Sequence, residues 1–385
     1  MKNGSFIWGL LILLSLGCKQ AEKNEPVQPI ILGAIYDLTG GQSPLDLPSS
    51  QGAQLAVQQV NDTGGIRGQR LELRLKDGQT NTDTLTAKVA EVLEEAPATL
   101  AFLGLSDTDQ VLAAAGAAAK NKRVFVTSGA TSPRLPEQIP DYLFLACFGD
   151  NVQAAAAAQY AYDTLGKRTV SVVYDSGDTY TSLLQQYFTE SFAELGGRVI
   201  SIKAYTQGKM EEAIKETQAA DFIFYAALPP DVLPGIQLIR QAGFNVPVIG
   251  GDSYDEPGIW RDQSHLEEVY FTTHAYLGAD NPNPKIQAFR QAYKKAYNDQ
   301  EPNAFAALGY DTAQLLIRAI EISDSASPEA IRQALTGLQD FAGVTGSISF
   351  SLDSRIPSKS VTIIEVRVGT QKLVTEIIPG NIPAP

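Results

Sequence analysis

From Ile30 onward the chain alternates between short apolar runs and amphipathic stretches, and this rhythm constrains the fold more than any single motif. "IILGAIY" (30–36) is an unbroken apolar run of strand length. A loop rich in Gly, Ser and Pro is expected next. "QGAQLAVQQVND" (51–62) then sets Ala53, Ala56, Val57 and Val60 on one helical face. "LELRLKD" (71–77) alternates apolar and charged residues, the pattern of a strand half open to solvent. A helix is expected over about 82–95, a strand in "TLAFLG", a helix in "DQVLAAAGAAAK" and a strand in "RVFV". A second series begins near Asp150. Helices are expected in "NVQAAAAAQYAYDTLG", "YTSLLQQYFTESFAELG", "MEEAIKETQAA" and "DVLPGIQLIRQAG", interleaved with strands in "TVSVVYD", "RVISIKAY", "DFIFYAAL" and "VPVIGGD". Strands that alternate with helices build parallel sheets covered on both faces. Two such series imply an α/β fold of two similar lobes.

The rest of the chain is more helical. "NPKIQAFRQAYKKAYNDQ", "NAFAALGYDTAQLLIRAIEIS" and "SPEAIRQALTGL" read as helices, and Ser327 with Pro328 makes a good helix start. "GSISFS", "SVTIIEVRV" and "KLVTEII" are late strands that must return to one sheet or the other. The chain then crosses between lobes several times, and such crossings make a hinge.

The first residues differ from the rest. Lys2 precedes an apolar segment, "FIWGLLILLSL" (6–16), which falls short of the roughly 20 apolar residues of a transmembrane helix. Its length suits the core of a signal peptide. Gly17 followed by Cys18 resembles a bacterial lipoprotein cleavage site, so residues 1–17 are expected to be removed, Cys18 to be lipidated, and 18–29 to form a polar tether. The protein would then sit in the periplasm or on the outer face of the cytoplasmic membrane. The one other cysteine, Cys147, lies in the apolar "YLFLACF" and is expected to be a buried, inert thiol.

Composition excludes several functions. The net charge is -13 and there is no basic run, which disfavours nucleic-acid binding. The two histidines, His265 and His274, have no second metal ligand at helical spacing, so no metal is expected. Neither a GxSxG elbow nor a GxxxxGK[ST] loop is present, and "YDLTGGQSP" after the first strand lacks GxGxxG. Nothing assembles a nucleophile, a base and an oxyanion hole. A binding protein without a cofactor is expected, not an enzyme.

Polar residues do gather where strands end, and ligands of open parallel sheets bind at the carboxyl ends of strands. In the first lobe these segments are "DLTGGQS", "GLSDTD" and "TSGATS", rich in hydroxyls and glycine N–H groups. In the second they are "DSGDTY", "ALPPD" and "GGDSYDE", which bring Asp252 and the tyrosines Tyr180 and Tyr254. One side suits an anion and the other a cation, as a small zwitterion requires.

The stretches "ILGAIYDLTGGQS", "GAQLAVQQVNDTGGIRGQRLELRLKDGQTN", "TSGATSPRL" and "TVSVVYDSGDTY", in this order, resemble the type I periplasmic binding proteins of the leucine/isoleucine/valine-binding family, the solute receptors of ABC importers. The resemblance implies two Rossmann-like lobes joined by a three-crossing hinge. Lobe one would hold 30–149 and about 273–345, and lobe two 150–272 and about 346–378. It implies a monomer that closes on a small ligand, an amino acid first, and delivers it to a membrane permease. The ligand carboxylate would meet the Gly129, Ala130 and Thr131 loop through the Gly129 N–H and the Thr131 hydroxyl, with Thr131 as a mere helix cap the other reading. A second hydroxyl would come from Thr108, or else Ser106. The ammonium would meet Asp252, with Tyr180 at the rim. The side-chain pocket stays open: Leu45, Leu47 and Phe305 would make it apolar, whereas Asp107 or Asp109 would admit a cationic or polar group. A sensor ectodomain, or a binder of urea, short amides or another small polar solute, are the alternatives.

Overall fold

The computed structural model describes residue 1 and residues 28–206 and 208–385. The apolar segment 6–16 and Cys18 lie outside these residues. In the first lobe β1 (Ile30–Tyr36), α1 (Ser43–Asp62), β2 (Leu71–Asp77), α2 (Thr82–Glu95), β3 (Phe102–Gly104), α3 (Thr108–Lys120), β4 (Phe125–Thr127), α4 (Leu135–Gln138) and β5 (Leu143–Leu145) follow in order. The five strands are parallel, in the order β2-β1-β3-β4-β5. β1, inside the sheet next to the edge, is almost wholly buried, while β2, at the edge, is half-buried along most of its length. That matches the alternating charge of "LELRLKD".

The second lobe holds α5 (Asp150–Gln159), β6 (Thr169–Asp175), α6 (Thr179–Glu194), β7 (Arg198–Tyr205), α7 (Met210–Lys215), β8 (Phe222–Ala226), α8 (Pro229–Gln241), β9 (Val248–Gly250), α9 (Pro257–Trp260) and β10 (Val269–Thr273). The chain continues through α10 (Pro284–Ala296), α11 (Ala304–Ile322), α12 (Pro328–Thr336), β11 (Phe341–Gly343), β12 (Gly346–Ile348), β13 (Val361–Arg367) and β14 (Thr370–Ile377). The second sheet runs β14-β13-β10-β9-β8-β6-β7, parallel from β10 to β7, with β13 and β14 added antiparallel.

Three details depart from the sequence reading. Helix α1 starts at Ser43, so the expected loop is largely helical. Pro44 lies in its first turn, where a missing N–H leaves no bond unmade. Asp46 anchors that turn by accepting the Asp37 N–H at 2.8 Å. Strand β10 was not expected at all. "GSISFS" joins neither large sheet, because β12 pairs with β11 in a separate hairpin.

Helices α10, α11 and α12 pack back on the first lobe. Helix α11 lies along α1 at very close range: a Cβ on Gly52 would stand 1.9 Å from the Ala306 carbonyl oxygen, and one on Gly309 1.9 Å from that of Ser49. Two glycines facing each other's backbones thus set this spacing. The side chains behind them (Ala53, Ala56, Ala313, Leu316 and Ile320) join the core under β1.

The chain passes between the lobes at 146–149, 274–283 and 349–360, and the three segments touch. Phe148 stacks on His274 with ring centroids 3.9 Å apart. Lys359 Nζ donates to the Ala146 carbonyl at 3.1 Å and to Thr345 Oγ1 at 2.5 Å. Burial lowers the Lys359 ammonium to about 8, against the pull of Asp311. Among the described residues no helix is long and apolar enough to cross a membrane.

Candidate functional site

A narrow cleft lies between the lobes. Its lining comes almost wholly from strand ends, as the strand-end rule requires. Gln42 and Leu45 follow β1, Ser106 and Asp107 follow β3, and Thr131 follows β4. Tyr180 follows β6, Leu228 and Pro229 follow β8, and Asp252 and Ser253 follow β9. Phe305, on the first turn of α11, completes the lining and packs over Gly129. The lining leaves only about 10 Å³ open, room for about one water, so the two lobes stand nearly closed over this cleft.

Asp252 is the hub of the second-lobe side. It opens a single 3-10 turn, Asp252–Tyr254, and is 3 % exposed. Its Oδ1 accepts from the Tyr180 hydroxyl at 2.9 Å and from Gln153 Nε2 at 3.2 Å, and its Oδ2 meets His274 Nε2 at 2.9 Å. Burial lowers the His274 pKa more than Asp252 raises it. The imidazole is therefore neutral near pH 7, with its proton on Nε2 facing the carboxylate. Asp252 thus receives three neutral donors and no full positive charge. Tyr180 sits against Asp252 and not at the rim as expected. It reaches there because Gly251 leaves room: a Cβ at that position would stand 2.3 Å from the Tyr180 hydroxyl.

A polar chain runs from Asp252 to the first lobe. Gln153 Nε2 also donates to Asp150 Oδ1 at 2.8 Å, and Gln153 Oε1 accepts from Thr272 Oγ1 at 2.8 Å. Asp150 Oδ1 in turn accepts from Thr131 Oγ1 at 2.6 Å. Burial pushes the Asp150 carboxyl up to about 8, partly offset by Thr131. Asp150 and Gln153 were missed in the sequence. Their only signal is that "DNVQ" places polar residues, three apart, at the start of an otherwise alanine-rich helix.

The first-lobe loop is built differently from the expected carboxylate cradle. The Gly129 N–H donates to the Leu105 carbonyl at 3.2 Å, and the Ala130 N–H to Thr127 Oγ1 at 3.2 Å. The Thr131 hydroxyl serves Asp150, and Thr131 caps no helix, since Arg134 precedes α4. Thr108 does not line the cleft. It begins α3, with its hydroxyl buried and without a partner among the described residues. Ser106, the alternative, does line it. Leu47 is 42 % exposed and takes no part, whereas Leu45 does. Tyr254 belongs to the second-lobe core, where its hydroxyl donates to the Tyr225 carbonyl at 2.8 Å.

Acids crowd the first-lobe side and the mouth. Burial raises Asp107 to about 6, against the Gln110 N–H it caps at 3.0 Å. Burial likewise raises Asp37 to about 6, and lifts Asp46 well above the carboxylate range with help from Asp37. Asp178, which caps α6, is raised to about 8, first by burial and then by Asp107. The lobes meet here directly: Thr179 Oγ1 donates to Asp109 Oδ1 at 2.8 Å. Cys147 is a buried free thiol that donates to the Ala130 carbonyl at 3.2 Å, and His265 is exposed.

Comparison with known proteins agrees with this geometry. Residues 29–371 match the family model described as periplasmic binding protein. The Leu/Ile/Val-binding protein homolog 1 of Brucella abortus is 23 % identical over 333 residues, covering 83 % of this chain and 86 % of that one. The leucine binding protein LivK of Thermotoga maritima is 28 % identical, with a TM-score of 0.81 over 91 % of this chain and 99 % of its own. The branched-chain amino acid transporter substrate binding protein LivJ of Streptococcus pneumoniae, solved in complex with isoleucine, is 24 % identical, with a TM-score of 0.83 over 91 % of this chain and all (100 %) of its own.

Proposed function

The chain belongs to the periplasmic binding protein family, as a type I member of the Leu/Ile/Val-binding group, and on that premise we propose that it captures an amino acid between its lobes and passes it to the permease of an ABC importer. The observation that carries this reading is Asp252, a buried carboxylate in the inter-lobe cleft, held by neutral donors alone. An ammonium group supplies the missing positive charge, and charge-assisted hydrogen bonds are about twice as strong as neutral ones. Closure of the lobes about the segments 146–149, 274–283 and 349–360 removes water and strengthens that contact. In this reading 30–149 with about 273–345 moves against 150–272 with about 346–378. The ligand roles of Asp252, Tyr180, Ser106, Thr131 and Phe305 are part of the proposal.

Members of the family work outside the cytoplasm. Export by residues 1–17 and anchoring through lipid on Cys18 extend the proposal to the membrane surface, and loss of fatty-acid labelling in Cys18→Ala is the expected check.

Calorimetric titration of the purified chain against the twenty amino acids tests the function. Saturable heat with at least one of them is expected. Silence with all twenty, and heat with urea or a short amide, would move the ligand to another class within the same fold.

A further inference from the structure

The cleft lining carries one carboxylate from each lobe, Asp107 and Asp252, and no lysine, arginine or histidine. Among the described residues neither acid is ion-paired to a lysine or arginine; the only salt-bridge partner is His274, behind Asp252, which is neutral near pH 7.

Capping does not explain the charge on Asp107. Serine and asparagine cap helices as well as aspartate does. This chain uses such neutral caps elsewhere: Asn81 on α2, Asn283 on α10, Asn303 on α11 and Ser327 on α12. Among the described helices, aspartate side chains cap only α3 and α6, through Asp107 and Asp178. Those two helices touch across the cleft mouth. Burying a carboxylate is unfavourable unless something compensates it, and the excess charge lies where a ligand would be.

The hydroxyl protons of the lining lead to the same conclusion. Thr131 gives its proton to Asp150, Tyr180 to Asp252 and Ser253 to the Ala227 carbonyl. Ser106 is the one lining hydroxyl without a close hydrogen bond among the described residues, and the group it faces is the Asp46 carboxyl, with Asp107 next in sequence. Gln42, 5 % exposed and in the lining, presents an Oε1 that accepts from no group among the described residues. A ligand carboxylate at the first-lobe end meets one hydroxyl in a field of acids. A cationic nitrogen there meets unsatisfied acceptors.

We propose that the ligand carries two cationic nitrogens, one bound by Asp252 and the other by Asp107, so that the protein selects a basic amino acid or a small diamine over neutral amino acids. This rests on the reading of the cleft as the solute site. The apolar walls, Leu45, Leu228, Pro229 and Phe305, then hold the methylene chain between the two nitrogens.

The test is calorimetry on the wild-type chain with L-lysine, L-ornithine, cadaverine, putrescine and L-leucine at neutral pH. Binding of a two-nitrogen ligand at least about tenfold tighter than L-leucine is expected, as is a loss of about tenfold or more in Asp107→Asn. Asp107→Ser keeps the cap as well and serves as a second variant if the first does not fold. A response to L-lysine alone identifies a basic amino acid and a response to cadaverine alone a diamine, and each supports the proposal. L-leucine binding as tightly as the dications, or dications binding both variants unchanged, overturns it and leaves the amino-acid reading standing. Silence with all five compounds overturns the proposal, and only silence with all twenty amino acids overturns the amino-acid reading as well.

Discussion

His274 Nε2 stands 2.9 Å from Asp252 Oδ2, so the carboxylate that faces the cleft is held by a residue of the hinge. His274 begins the second crossing and stacks on Phe148 of the first. The hinge and the candidate ligand group therefore share one side chain.

A positioning role for His274 follows from this contact. His274→Ala frees one carboxylate oxygen and is expected to weaken ligand binding by roughly 1–3 kcal/mol, the range for loss of a buried donor. His274→Gln places an amide N–H near the same point and should restore much of the loss. Equal losses in both variants, with equally lowered thermal unfolding, would assign the histidine to packing alone.

Asp150 makes stability fall with rising pH. Its pKa is raised from 3.8 to about 8 in the fold, so the folded state holds a proton that the unfolded chain releases. Stability is then highest below the unfolded value and declines between about pH 4 and pH 8. Asp150→Asn cannot lose that proton and should flatten the slope of unfolding free energy across this window. Thr131→Val removes a hydrogen bond that favours the charged form, so it should extend the decline to higher pH without steepening it. An unchanged pH profile in Asp150→Asn would show that the carboxyl is ionised in the fold.

Gly52 and Gly309 fix how closely α1 and α11 approach. A methyl group at either position meets a carbonyl oxygen at 1.9 Å, backbone against backbone, which no rotamer change relieves. Gly52→Ala should destabilise the protein by roughly 1–3 kcal/mol or more, as overpacking does. Gly64→Ala is a poorer comparison because Gly64 has a positive φ of 100°, whereas Gly116 is helical and has open space around it. Gly116→Ala should be neutral or stabilising in the same thermal denaturation experiment.

The alternation of apolar runs and amphipathic segments was enough to read two α/β lobes and to bring six strand-end segments together as a candidate cleft. Strand positions followed because a buried parallel strand needs an unbroken apolar run, as in β1 and β8. Strand β10 escaped notice because its five residues, "VYFTT", end in threonines and precede no amphipathic stretch until α10. The start of α1 was hidden by Pro44 and Pro48, which read as loop residues until Asp46 and Leu45 are seen buried. The candidate site was legible in part as a set of residues and not as a set of bonds, since Thr108 and Leu47 fall outside the cleft lining. Thr131 and Asp252 could be named from where strands end. That Thr131 serves Asp150, and that Gln153 links Asp150 to Asp252, depends on contacts 19 and 99 residues apart in sequence, which no local pattern encodes.

Ligand binding by Asp252 is the centre of the account, and the direct measurement is calorimetric titration of wild type and Asp252→Ala side by side with the tightest amino acid or amine. The account predicts a loss of about 2–5 kcal/mol for a buried charge partner, in a variant whose ligand-free thermal unfolding shows it to be folded. Equal affinity in the two proteins would remove Asp252 from the site and contradict the inter-lobe reading of the cleft.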